Sequence, residues 1–299
     1  MRLIYSSAYV TDIGEHSFAT RKFALTAEMV RDLGEIVEPP EPDEADLLLA
    51  HSPDWVAKVR SGRMTLEDEL LLELPFSPEV ARAHRLQAAG TLLACKEALE
   101  EGVGFHIGGG SHHAFRDHGE GFCVVNDLAC ALLRLFVEGR VRRAAVVDLD
   151  VHQGNGTASI LGGDHRAFTF SMHQEDLYPR VKVAGSLDVG MPAGTGDVAY
   201  LALLEESLPK AFASGPDLIL YQAGVDGHEG DLLGGLRLTA EGLRRRDHMV
   251  FEAARRRGVP VAVTLGGGYS RNPAEAAGLH AQTVLAGADA IIRGHASHI

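Results

Sequence analysis

The chain is short of cysteine, of positive charge and of long apolar runs, and each shortage removes a class of function. Cysteine appears as Cys95, Cys123 and Cys130, scattered through 299 residues with no CxxC pair. That excludes a disulfide framework and a cysteine-based metal cluster. The three residues read as small buried hydrophobes in a reducing compartment. No apolar stretch approaches the roughly 20 residues of a membrane span. The opening "MRLIYSSAYV" lacks the pattern of a secretory leader, so the expectation is a cytoplasmic protein with no membrane partner. With 28 Lys and Arg against 41 Asp and Glu, the formal net charge is −13. A basic surface for direct nucleic-acid binding is therefore not expected. The dense basic runs, Arg244–Arg246 and Arg255–Arg257, fall on one predicted helix and its end. They read as a solvated face with cations near the C-terminal dipole. No linker, repeat or low-complexity segment divides the chain, so residues 1–299 are expected to form a single domain. The acidic, Pro-containing Glu38–Asp46 stretch reads as a surface loop between early helices.

What is present is a regular alternation. "SPEVARAHRLQAAGTLLACKEALEEG" predicts a helix with Ser77 as N-cap, Pro78 in the first turn and Gly102 as stop. Apolar, β-branched strands then alternate with further helices to the C-terminus: "VGFHIGGG", "RRAAVVDLDVH", "AFTFSMH", "PDLILYQAGVD" and "VPVAVTLGGGY". Helices are predicted at "FCVVNDLACALLRLFVEG", near Asp197, after Thr239 and over "PAEAAGLHAQTVLAGADAII". This pattern predicts an α/β fold, one parallel sheet flanked by helices on both faces. In such sheets ligands gather at the carboxyl ends of the strands. Here those ends deliver His112 and His113, then Asp148, Asp150 and His152, then Asp226 and His228, then Tyr269.

In "VVDLDVHQGNG", alternate residues share a face, so Asp150 and His152 can reach one point and Asp226 can join them from a later strand. Two carboxylates and one imidazole suit a divalent cation with positions left open for water and substrate. The bland alternative is a buried salt-bridge network. His112 and His113, following Gly108–Gly110, are placed in a turn, because neighbours on a strand would face opposite ways. Paired neutral imidazoles can remove and return the proton of an activated water. Asp148 and Asn155 are the candidates to fix their tautomers.

The motifs "GGGSHH", "GFCVVND", "DLDVHQGNGT", "AGVDGHEGDLLGG" and "LGGGY", in this order, resemble the zinc-dependent histone deacetylases of the arginase/deacetylase superfamily. "HQGNG", "LGGLRLT" and "GGGYSRNPA" look most similar to the class IV branch. The resemblance implies zinc, or ferrous iron, on Asp150, His152 and Asp226, one ion per chain. It implies His112 and His113 as general base and acid, in either assignment, supported by Asp148 and Asn155. Tyr269 would stabilise the oxyanion. Gly121, Phe122, Tyr178 and Leu233 would line the acyl tunnel. A structural potassium ion is implied near Asp148, Asp150, His152 and Ser171. The implied reaction is hydrolysis of an acylated amine, acyl-lysine or a small molecule such as an acetylpolyamine.

The chain departs from the family pattern at Asn155, which stands where class I members have Asp and should leave His113 less basic. Gly154 stands where a binuclear relative needs a further acid, so His228 is not expected to hold a second ion. The remaining histidines, His16, His118 and His280 among them, and the tail pair His295 and His298, read as ordinary surface or core residues. An acyl-binding module that has lost catalysis is the competing class of function. Such a module would be expected to lack the tyrosine or one histidine, and all are present.

Overall fold

The computed structural model describes residues 1–296, with side chains to residue 290. His298 and the His295 side chain therefore lie outside what is described. The elements in chain order are β1 (Arg2–Ile4), α1 (Arg21–Val30), β2 (Glu35–Val37), α2 (Glu44–Ala50), α3 (Pro53–Ser61), α4 (Leu66–Leu72), α5 (Pro78–Glu101), β3 (Val103–His106), α6 (Asp127–Val137), β4 (Ala144–Asp148), α7 (Asn155–Leu161), β5 (Ala167–Gln174), β6 (Leu187–Met191), α8 (Asp197–Ala213), β7 (Leu218–Gln222), α9 (Ala240–Arg255), β8 (Val261–Thr264) and α10 (Pro273–Ala296).

The boundaries follow local chemistry. Ser77 Oγ accepts the Val80 N–H and Pro78 occupies the first turn of α5. Gly102, at φ 87°, ends that helix in the left-handed region that glycine adopts without penalty. Asn126 caps α6 by accepting the Ala129 N–H, so "FCVV" ahead of it is loop and not helix. Asp43 caps α2, which shortens the expected Glu38–Asp46 loop.

All eight strands are parallel, in the order β2-β1-β3-β8-β7-β4-β5-β6. One apolar cluster packs α8 and α9 against the sheet, with Leu204, Phe251, Phe170 and Val263 at its centre. Another packs α5 and α6 on the opposite face, with Ala98, Leu128, Val146 and Leu220. Each central strand is thus apolar on both sides, as a parallel sheet covered by helices requires. The adjacency of β3, β8, β7 and β4 decides the site. Their carboxyl ends lead, in that spatial order, to the His pair, Tyr269, Asp226 and the Asp150–His152 segment. Among the described residues, no helix is long and apolar enough to cross a membrane.

The basic runs require a correction. Arg255–Arg257 are exposed, as are Arg244 and Arg245, but Arg246 and Asp247 are fully buried. Arg246 Nη1 donates to the carbonyls of Leu149 (3.3 Å) and Gly224 (2.5 Å), and its Nε donates to Asp247 (2.9 Å). The helical period carries Leu243, Arg246 and Val250 inward together, and an ion pair with backbone acceptors makes the burial of charge tolerable.

Candidate active site

Beyond β4 the chain turns so that Asp150, His152 and Asp226 each offer one ligand atom, all within 4.8 Å of one another and all buried. Their remaining hydrogen-bond capacity is used locally. Asp226 Oδ1 accepts the Val151 N–H at 2.9 Å, and Asp150 Oδ1 accepts the His152 N–H at 2.9 Å. Asp226 Oδ2 is buried with no hydrogen-bond partner. An orphaned buried carboxylate oxygen is costly, and here it points at two further ligand-type atoms. The donor set and the orphan oxygen fit a divalent cation. Burial and then the neighbouring Asp150 raise the Asp226 carboxyl to about 7 in the absence of an ion. Gly267 passes against this cluster, where a side chain would run into the carboxylates of both Asp150 and Asp226. His228 is not part of the cluster. It accepts the Gly230 N–H at 3.2 Å instead.

The glycine turn after β3 crosses toward β7, with Gln222 Nε2 donating to the Gly110 carbonyl at 3.0 Å. It sets the two imidazoles side by side, ring centroids 4.1 Å apart. His112 Nδ1 pairs with Asp148 Oδ2 at 2.7 Å, and its Nε2 lies 3.8 Å from Asp150. His113 Nδ1 pairs with Asn155 Oδ1 at 2.7 Å. The two supports separate the rings electrostatically. Burial pulls the His112 imidazolium down, but Asp148 and Asp150 outweigh it and bring its pKa up to about 9. Burial, with His112 and His152 adding to it, holds His113 well below the usual range.

Tyr269 follows the glycines after β8. Its N–H donates to Asp231 Oδ2 at 2.7 Å, while Asp231 Oδ1 accepts the N–H groups of Leu233 and Gly234. The ring lies 6.2 Å from His152 and 5.8 Å from Phe122, centroid to centroid. Burial, with Asp150 and Asp226 adding to it, pushes the phenol well above its ordinary pKa, so it remains a donor. Phe122, Tyr178, Leu233, Gly121, His113, His152 and Tyr269 line one cavity of about 370 Å³, joined by His16 and Glu73. At Gly121, φ 52°, a side chain would meet Tyr178 and His113. Ser171 sits beside Asp148 in the β4–β5 register and shares a hydrogen bond with His173.

Several residues at the site carry no motif signal. His16, read from sequence as ordinary, stacks edge-on against Phe122 and lines the cavity. Lys22 is fully buried behind the tyrosine turn and donates to the Gly266 (2.6 Å) and Gly268 (3.1 Å) carbonyls. A signal for it existed, since Lys22 shares the inward stripe of α1 with Thr26 and Val30. Asp231 falls inside the "AGVDGHEGDLLGG" motif and Arg246 on the inward period of α9, but the contacts each makes are visible only in the fold.

Comparison with known proteins identifies the family. The histone deacetylase domain family matches residues 16–296. Histone deacetylase 2 of Arabidopsis thaliana is 33% identical over 291 residues, covering 91% of this chain and 75% of that protein. The histone deacetylase-like amidohydrolase of Pseudomonas aeruginosa is 29% identical, covering 85% and 71%. The crystal structure of the HDA15 HD domain superposes with a TM-score of 0.78 over the whole of both chains at 23% identity, which speaks for the fold. The chain belongs to the histone deacetylase family, a family of deacetylases on the arginase-like α/β fold.

Proposed function

We propose that the protein is a metal-dependent amidohydrolase that removes an acetyl or longer acyl group from an amine, with acyl-lysine the favoured substrate. The observation that carries this reading is the orphaned Asp226 Oδ2 facing Asp150 and His152, beside two imidazoles and a phenol at the end of an apolar-walled cavity. Asp150, His152 and Asp226 would hold the ion, and the two-carboxylate, one-imidazole set suits zinc or ferrous iron. A bound divalent ion supplies Lewis acidity to the acyl carbonyl and makes water a nucleophile at neutral pH.

The chain's own groups do the rest. Gly121, Phe122, Tyr178 and Leu233 hold the acyl chain and its linker and exclude bulk water. Tyr269, protonated, donates to the acyl oxygen as charge develops there. His113, neutral, accepts the proton of the attacking water through Nε2 and returns it to the leaving nitrogen. His112, paired with Asp148, is biased toward its charged form and would favour the negative transition state. Asp148 and Ser171, side by side on paired strands, are the residues around which a structural potassium ion would sit. The whole chain acts as one catalytic domain, and its three free buried cysteines suit a cytoplasmic setting.

The test is turnover of the metal-loaded protein on acyl-lysine peptides of increasing acyl length and on acetylated polyamines. Hydrolysis of the peptides is expected. Turnover of polyamines alone would move the substrate to the small-molecule class, and no hydrolysis of either would defeat the reading.

A further inference from the structure

Asn155 stands between a histidine and a carboxylate. Its Oδ1 faces His113 Nδ1 at 2.7 Å, and its Nδ2 donates to Glu120 Oε1 at 2.5 Å. A carboxylate can only accept, so Glu120 forces the amide to turn its NH₂ outward and its oxygen toward the imidazole. Facing an oxygen, His113 Nδ1 must be the protonated nitrogen. Nε2 is then left with its lone pair on the cavity side. An amide without Glu120 could flip, present its NH₂ to Nδ1 and drive the proton to Nε2, which would disable the ring as a proton acceptor.

Glu120 is well placed for this task. The Cys123 N–H donates to its carbonyl at 2.9 Å, and the following Gly121 and Phe122 N–H groups donate to Leu71 (3.2 Å) and Leu72 (2.8 Å) at the end of α4. The carboxylate is mostly covered, with His118 Nε2 at 3.8 Å. Burial raises its pKa, but the neighbouring His118, the hydrogen bond from Asn155 and the nearby Tyr178 outweigh this and hold it below the ordinary value, so it stays ionised.

We propose that Glu120 is a positioning residue that acts through Asn155 to decide which ring nitrogen of His113 carries the proton. It does the orienting work that a carboxylate at position 155 would do directly. The catalytic consequence rests on His113 being the proton acceptor. The tautomer itself does not, and it can be read without substrate.

The experiment uses the zinc-loaded protein labelled with ¹⁵N-histidine. Long-range ¹H–¹⁵N correlation spectra report the protonated nitrogen of His113, alongside kcat, KM, metal content and thermal midpoint. The wild type is expected to show Nδ1–H. Glu120→Gln, whose carboxamide can accept or donate, is expected to give a mixture and to lower kcat by ~10–100-fold with little change in KM. Asn155→Asp alone sets two carboxylates against each other and is expected to be impaired as well. The exchange Glu120→Gln with Asn155→Asp restores one acceptor-only group and one amide. It is expected to recover Nδ1–H and to exceed both single variants in kcat, which a merely structural role would not produce. An unchanged tautomer in Glu120→Gln overturns the proposal, as does an exchange variant no better than the singles. A shifted tautomer with wild-type turnover upholds it and instead removes His113 as the proton acceptor.

Discussion

Two cavities of similar size lie at opposite ends of the same sheet. One, of about 400 Å³, opens at the amino ends of β3 and β8 and is lined by residues such as Ala98, Leu99, Val103, Phe251, Val259 and Pro260. The other, of about 370 Å³, lies at the carboxyl ends and is walled by Phe122, Tyr178 and Leu233 above His113, His152 and Tyr269. Volume does not distinguish them. Convergent polar groups do, among them the orphaned Asp226 Oδ2, and these are at the carboxyl end, where strand termini and turns place them outside the core. The amino-end cavity is a packing feature, and changing it should alter stability without altering chemistry.

This contrast can be broken by experiment. Asp226→Ala removes the orphaned oxygen's carboxylate from the carboxyl-end cluster. Metal content and turnover should fall together to background, as metal analysis beside a deacetylation assay would show. Retained metal and activity would dissolve the contrast. At the other end, Phe251→Ala empties a buried ring that packs against Phe105 and Tyr221. It should cost about 3–5 kcal/mol in denaturant unfolding while leaving kcat of the folded fraction unchanged. Tyr269→Phe is the reverse case, with ~10²–10³-fold lost in turnover and no shift in thermal midpoint or metal content.

The effect that is smallest per residue and per pH unit sharpens the same contrast among buried histidines. His112 has carboxylates beside it, whereas His51, His84 and His106 are buried without them, and burial lowers their pKa values to about 4, 4 and 3. These three are neutral in the folded protein and take up a proton near pH 6.5 once unfolded. Their contribution is whole above about pH 6.5 and is lost as the pH falls toward 4. Each should remove at most ~1.4 kcal/mol per pH unit across that window. Unfolding measured at pH 7, 6 and 5 should show this fall. A stability that stays level would mean that water reaches these rings.

The sequence was most legible where local rules act alone. Ser77, Pro78 and Gly102 mark α5 because capping depends on nearest neighbours, and the apolar strands announce a sheet covered on both faces. The polar residues at strand ends stood out because nothing in a core would tolerate them. The short edge strands β2 and β6 escaped notice, since "EIV" and "LDVGM" carry too little pattern to differ from loop. Arg246 was misread because three arginines in a row look solvated. Only the carbonyls of Leu149 and Gly224, distant in sequence, reveal why one turns inward. Glu120 offered no period and no motif, and its role exists only once Asn155 is folded against it.

Arg246 also separates what can vary in this architecture from what cannot. Its guanidinium grips the chain one residue before Asp150 and two before Asp226, on the helix side of the sheet. The separation of the two ligand-bearing strands is therefore set upstream of the ligands, by a tie to α9. Segments downstream, such as 227–235 with its tunnel residue Leu233, hang from that tie and do not define it. Substituting the Leu233 side chain is therefore expected to reshape the cavity wall while the spacing of Asp150 and Asp226 stays put. Conversely, replacing the exposed Arg244 or Arg245 leaves that tie intact, whereas replacing the buried Arg246 or Asp247 breaks it.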